Sequence, residues 1–359
     1  MARLRLNLGT RSYNIEIGRG NLLHTGFRRF GSRYAVITDS NVKRLYAKKL
    51  ESSLKRQGLD AEVFEFPAGE ASKNPETAAR IGREMARKGF DRDSIIIALG
   101  GGVAGDLAGY IASFYMRGID YIQVPTTLLA QVDSSIGGKV GVDIPEGKNM
   151  FGYFHQPKAV IIDVETLKTL PKKEIQNGLA EIVKYGMAQD SELFEYLEKN
   201  VKRNSSFADM KFYQKVVEKS CRIKAGIVER DEKEKELRKI LNYGHTIGHA
   251  IESAEKYRLS HGEAIALGMA YEGKVSLALG LLDKKSLARQ NELIKEAGLP
   301  VKYSGRSSDE LIKIMRRDKK ARGGKLYFVL PTSVGKVKSD RGKVAFPVDE
   351  SIVRKCLKE

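Results

Sequence analysis

Between Leu241 and Glu263 the chain reads LNYGHTIGHAIESAEKYRLSHGE, and this stretch holds three of its five histidines. If residues 243–254 are helical, Tyr243, Ile247, Ala250, Ile251 and Ala254 form one apolar stripe, and His245, His249 and Glu252 lie together on the opposite side. Ser260 followed three residues later by Glu263 is a capping-box pattern, so a second helix starts there with His261 in its first turn. Its continuation, AIALGMA, is apolar nearly all round and predicts a buried helix. Two imidazoles one turn apart, with a third delivered by a helix start, can converge on one ion. Zinc takes neutral imidazole nitrogen, and a catalytic site keeps one position open. The pattern H-E-x-x-H does not occur, so a zincin-type protease is not indicated. Any carboxylate ligand must come from elsewhere in the chain.

The best-placed carboxylate is Glu181, set inside the apolar run GLAEIVKYG with Lys184 three residues later on the same face. A surface ion pair is the competing reading of that spacing. Lys224, Arg238 and Asn242 approach the histidines from the N-terminal side. Arg238, Asn242, His245 and His249 recur at helical intervals, which puts Arg238 two turns before His245 if the helix runs unbroken.

A second kind of chemistry is written earlier. The apolar run from Ser94 to Leu99 is followed at once by GGGVAGD (residues 100–106) and a helical stretch, a G-x-G-x-x-G pattern in a strand-turn-helix context. Glycines let a backbone approach a diphosphate, and a helix start offers free N–H donors. The position departs from the usual dinucleotide fingerprint, because this is at least the third strand rather than the first, and Asp120 precedes the next strand instead of ending it. Asp39, ending the first strand, and Glu70, after the second, are better placed to meet a ribose. Thr126 and Thr127 follow another strand. Residues 131–149, QVDSSIGGKVGVDIPEGKN, then space Asp133, Lys139, Lys148 and Asn149 along a glycine-rich loop and strand.

These sites need elements to hold them, and the pattern supplies two kinds. Up to about residue 170, apolar strands alternate with amphipathic helices, predicting a Rossmann-like α/β domain over residues 1–170. From Pro171, which opens a helix, residues 171–359 read as a mainly α-helical domain, with strands again only in KLYFVLP and GKVAFPV. The start, MARLRLNLGTRSYNIEIG, alternates like a strand pair and presents no apolar signal core. No run of about 18 apolar residues occurs. Cys221 and Cys356 are too few and too far apart for a disulfide framework or thiolate cluster, which suits a reducing compartment. A soluble cytoplasmic protein is the expectation, with no membrane partner. The formal charge of +18 invites a polyanion, but the basic residues are scattered along amphipathic segments without a nucleic-acid motif and read as a solvated face.

Six segments taken together, GGGVAGDLAGY, VPTTLLAQVDSSIGGKVGVD, GKNMFGYFHQP, GLAEIVKYG, LNYGHTIGHAIE and LSHGEAIALGM, resemble the 3-dehydroquinate synthases, in this order and across most of residues 95–272. The resemblance implies a dehydroquinate synthase-like fold and a zinc or cobalt ion on Glu181, His245 and His261, which moves His249 to the substrate side. It implies NAD contacts at Asp39, Glu70 to Lys73, Gly102, Val103, Ala104, Gly105, Asp106, Thr126, Thr127, Lys139, Lys148, Thr166, Leu167, Lys168 and Thr169. Substrate would meet Asp133, Lys139, Asn149, Lys184, Lys224, Arg238, Asn242 and His249, with Arg117 reaching across a homodimer interface. A lysine within Asp318-Lys319-Lys320 also belongs to the pattern. The implied reaction converts 3-deoxy-D-arabino-heptulosonate 7-phosphate to 3-dehydroquinate and phosphate, a lyase step of the shikimate pathway toward aromatic amino acids, with NAD not consumed. Cyclases of the 2-deoxy-scyllo-inosose synthase type and metal-dependent alcohol or glycerol dehydrogenases are the neighbouring alternatives.

Overall fold

The computed structural model describes residues 2–204, 209–256, 258–317 and 325–358. The expected lysine within residues 318–320 lies outside them. The chain divides into two compact units, residues 1–170 with 213–229, and residues 171–212 with 230–359. Residues 213–229, read from sequence as part of the second domain, thus belong with the first. They are most of the helix Met210–Arg230, and its Lys224 and Cys221 bond to Asp133 and to the Gln131 carbonyl of the first unit.

The first unit is built on a seven-stranded sheet. Its strands are β1 (Ala2–Leu6), β2 (Tyr13–Gly18), β3 (Arg33–Asp39), β4 (Asp60–Phe66), β5 (Ile95–Gly100), β6 (Tyr121–Pro125) and, after a separate hairpin of β7 (Lys139–Ile144) and β8 (Gly147–Phe154), β9 (Ala159–Asp163). The order is β1-β2-β9-β6-β5-β3-β4, parallel throughout except at β1, which pairs antiparallel to β2. Successive side chains of a strand alternate between faces. Along β5, Ile97 and Leu99 therefore pack with Leu50 and Leu54, while Ile96 and Ala98 pack with Met85, Leu107 and Ile111. Burial on both faces is why β5 is a continuous apolar run rather than an alternating one.

β5 returns to the opposite side of β3 from β4, so the order reverses between β3 and β5. In open α/β sheets ligands bind outside the carboxyl ends of the strands at such a reversal. Asp39 at the end of β3 and the glycine turn after β5 both lie there.

The second unit is mainly helical, as expected. Its core joins Ile247, Ala250 and Ile251 to Leu267, Tyr271 and Val275, with Leu311, Ile312, Leu326 and Phe328 closing over them. The apolar stripe read from the sequence is the buried one, but its helix starts two residues later, at His245. Tyr243 is buried in an extended conformation instead, and Gly244 is left-handed at φ 78°. Ahead of these, Leu237–Asn242 is a 3-10 turn. The helix from Arg238 to His245 is therefore broken, and the two-turn spacing expected between them does not hold. No helix among the described residues is long and apolar enough to cross a membrane.

Candidate active site

In the second unit three helices each deliver one donor. Glu181 comes from the helix Lys172–Gln189, His245 opens the histidine helix (His245–Ala254), and His261 opens the capping-box helix (His261–Ala278). The capping box is present as read: Ser260 Oγ accepts from Glu263 N, and Glu263 accepts from Ser260 N at 2.8 Å. Ligand atoms of Glu181, His245 and His261 lie within 4.8 Å of one another. The Nε2 atoms of His261 and His245 are 3.3 and 3.6 Å from Glu181 Oε1. His245 Nδ1 bonds the Tyr243 carbonyl at 3.1 Å, which fixes the ring with Nε2 toward the carboxylate. Two imidazoles and one carboxylate form a donor set of the catalytic zinc or cobalt type.

His261 also belongs to a second set with His249 and Glu252. Burial alone would lower the His261 pKa, but hydrogen bonds and charge from Glu181 and Glu252 lift it to about 9. A cation is favoured at this point, whether a proton or a metal ion.

Lys184 contacts Glu181 Oε2, and both side chains are buried. The surface ion pair that the spacing allowed is therefore excluded. Arg238 is also buried, its Nη1 donating to the Glu232 carbonyl at 2.7 Å, and Asn242 donates to Glu234 Oε1 at 3.0 Å. Asp231 organises this loop by accepting from the backbone N–H groups of Lys235, Glu236 and Arg238. Sequence reading missed Asp231, because its partners are backbone amides and it sits in an ordinary charge run. It also missed Glu272, a carboxylate that follows the apolar run AIALGMAY in the capping-box helix; its place after that run was the available signal.

In the first unit the helix Gly102–Phe114 starts straight from β5 with Gly101 as N-cap and no side-chain cap. Packing explains two of the glycines. A Cβ on Gly101 would stand 2.9 Å from Thr127 Cγ2, and one on Gly105 2.9 Å from Gln123 Oε1. At Gly102 it would meet only Ser134 Oγ at 3.4 Å, an ordinary contact. The bare backbone at Gly102 is thus not required by neighbouring protein, and the first turn of a helix offers free N–H donors.

Around this turn, Asp39 Oδ1 accepts from Asn41 N and Val42 N, and its Oδ2 is 3.5 Å from a Cβ built on Gly100. Lys73 pairs with Asp106 at 2.6 Å and donates to Asn149 Oδ1 at 2.6 Å, which joins expected cofactor and substrate residues directly. Burial disfavours the Lys73 charge, but Asp106 and Glu70 raise its pKa; burial pushes the Asp106 carboxyl up against the pull of Lys73. Lys148 lies 3.8 Å from Glu70. Lys224 donates to Asp133 Oδ1 at 2.6 Å from a π-helical turn, Ala130–Ser134. Thr126 is buried and donates its N–H to the Gly100 carbonyl, while Thr127 Oγ1 accepts from Ala130 N. Val103 and Ala104 complete the first helical turn. Thr166 and Leu167 are buried, the Tyr46 hydroxyl donates to the Thr166 carbonyl, and it is also bonded to the Thr169 hydroxyl. Lys168 is turned outward onto Glu165. Lys139 and Arg117 are exposed, Arg117 in a left-handed conformation at φ 71°.

A parallel sheet with a glycine turn opening a helix, followed by helices carrying a metal-type donor set, is the dehydroquinate synthase-like class of fold. Solved structures of that class superpose on nearly the whole chain. A 2-deoxy-scyllo-inosose synthase complexed with carbaglucose-6-phosphate, NAD+ and Co2+ matches with a TM-score of 0.91 at 27% identity, over 99% of each chain. A 2-epi-5-epi-valiolone synthase from Streptomyces hygroscopicus subsp. jinggangensis with NAD+ and Zn2+ bound matches at 0.88 and 27% identity, over 98% of this chain and 97% of that one. Family profiles for the 3-dehydroquinate synthase N-terminal and C-terminal parts match residues 63–177 and 178–321. The 3-dehydroquinate synthase of Caldanaerobacter subterraneus subsp. tengcongensis is 48% identical over 94% of this chain and 96% of its own length. The chain belongs to the 3-dehydroquinate synthase family.

Proposed function

We propose that this chain converts 3-deoxy-D-arabino-heptulosonate 7-phosphate to 3-dehydroquinate and phosphate, with NAD and one divalent ion, zinc or cobalt. The observation that carries this reading is the convergence of Glu181, His245 and His261 within the stretch matched to the family's C-terminal part. When bound, the ion supplies Lewis acidity to a substrate hydroxyl, and NAD accepts and later returns a hydride.

The chain's own residues do the rest. Arg238 offers a planar fork to the substrate carboxylate. Lys139, Asn149 and Lys224 hold the phosphate, with Asp133 orienting Lys224 and Lys73 orienting Asn149. A phosphate held in place takes the proton of the elimination itself, so no further carboxylate dyad is needed. His249 and Asn242 direct the ring hydroxyls, and Lys184 compensates the charge of Glu181. The nucleotide is assigned to residues 1–170 and the ion to the helical unit, with Lys224 supplied by residues 213–229.

A homodimer belongs to this reading, with Arg117 serving the partner's site. Phe114 and Met116 beside it are large and exposed, as a surface covered by a second copy would be. The two buried free cysteines, Cys221 and Cys356, accord with a cytoplasmic protein.

The test is phosphate release from the heptulosonate phosphate with NAD far below substrate concentration. Many turnovers per NAD are expected, lost on chelation while the far-ultraviolet circular dichroism stays unchanged. Net NADH from a polyol would favour a dehydrogenase. Faster turnover of a sugar phosphate without a carboxylate would favour an aminocyclitol-type cyclase.

A further inference from the structure

The first amides of a helix need acceptors, and a Ser, Thr, Asp or Asn at the N-cap usually supplies one. The histidine helix has Gly244 there and no side chain to offer. Its acceptor comes from the side. Glu272 of the capping-box helix takes Gly244 N on Oε2 at 2.8 Å and Ile247 N on Oε1 at 3.1 Å. His245 lies between these two anchored amides.

Glu272 is 0% exposed, and a buried carboxylate keeps its charge only where hydrogen bonds or opposite charge replace water. A helix N-terminus provides both the bonds and the favourable end of the dipole. The approach is made possible one turn earlier by Gly268, where a Cβ would stand 1.8 Å from the Gly244 carbonyl oxygen. Gly248 packs likewise on the Ala264 carbonyl, at 2.9 Å from a built Cβ, so the two helices run antiparallel in close contact. His261, Ile265, Gly268 and Glu272 follow at intervals of four, three and four residues, one stripe of the capping-box helix. The face that presents His261 therefore also carries the carboxylate that fixes the backbone of His245.

We propose that Glu272 is a positioning residue for the metal centre, holding His245 in register with Glu181 and His261. This rests on the reading that those three residues bind the ion. Glu272 acts through the helix start, on the amides of Gly244 and Ile247.

The test uses the full chain and Co2+ as probe, with three readouts: Co2+ affinity against a chromophoric chelator, the visible spectrum of the cobalt form, and the thermal midpoint of the metal-free protein. Glu272→Gln keeps the shape but turns an NH2 group against one amide, and Glu272→Asp keeps the charge but falls short by a methylene. Glu272→Gln is expected to bind Co2+ about 10-fold or more weakly with altered visible bands, as for outer partners of metal ligands, and Glu272→Asp to fall between it and the parent. Parent-like affinity and spectrum in both variants, with only the midpoint lowered, would show that Glu272 is a core cap and overturn the inference alone. No Co2+ binding by the parent chain would overturn the metal reading and this inference with it.

Discussion

Lys184 and Glu181 sit one helical turn apart with side chains 2% and 1% exposed, the ammonium in contact with the carboxylate. Taking one partner from a buried pair leaves an uncompensated charge at a cost of about 3 kcal/mol or more. A metal ion on Glu181 would replace much of the missing charge. Lys184→Ala should therefore be strongly destabilised under chelation and regain most of the loss in zinc, so zinc should raise its melting midpoint by more than it raises the parent's. Equal increments in both proteins would show that Lys184 does not compensate Glu181.

Gly102 and its neighbours make a paired test of the nucleotide site. Because Ser134 Oγ is at an ordinary 3.4 Å from a Cβ at Gly102, Gly102→Ala should change stability by about 1 kcal/mol or less. Gly102→Val should still fold while NAD affinity drops by about 10-fold or more, through crowding of the diphosphate. Gly105→Val, driven into Gln123, should instead lose stability first. Parent-like NAD affinity in Gly102→Val, by fluorescence titration, would mean the cofactor lies elsewhere.

On the proposed reading, Arg238 is the residue that would hold the carboxylate of the substrate. Arg238→Ala should lower kcat/KM on the heptulosonate phosphate by about 100-fold or more, the cost of leaving a desolvated anion unpaired, and Arg238→Lys should recover only part. An analogue without the carboxylate should be almost indifferent to the change. Equal losses on both compounds would mean that Arg238 supports the fold rather than the substrate.

Asp231 gives the loop that carries Arg238 a pH dependence. Burial would raise its carboxyl, but the amides of Arg238, Lys235 and Glu236 outweigh that and hold it below the usual aspartate range. A folded-state pKa below the unfolded one stabilises at pH above the ordinary value of about 3.9, and the contribution fades as pH falls through the lower folded value. Asp231→Asn should therefore show its full deficit in urea midpoint near neutrality and converge on the parent in acid. A deficit constant with pH would rule out this charge as the cause.

What the sequence could show divides along physical lines. Periodicity and capping chemistry are local, so the strand pair at the start, the β5 run with its glycine turn, and the Ser260–Glu263 capping box are all present as read. His245 stood out with His249 as imidazoles one turn apart, His261 because a capping box carried it, and Glu181 because it interrupted an apolar run. The break between Arg238 and His245 was not legible: it depends on Gly244 adopting a left-handed turn under Gly268, a contact with a helix more than twenty residues away. Glu272 was hidden for the same reason. Nor could spacing decide between an exposed and a buried Lys184, since burial comes from helices packed against that face and not from the face itself.

The first unit takes in residues 213–229 after an excursion of 171–212 into the other. A ribosome making this chain thus emits the sheet, leaves it one helix short, begins the helical unit, and only then releases the segment that brings Lys224 to Asp133. Cutting after Leu170 would strand Asp133 without that partner and leave the first unit short of residues 213–229. An exchange with a relative at this boundary would set Asp133 against the relative's copy of that helix rather than its own.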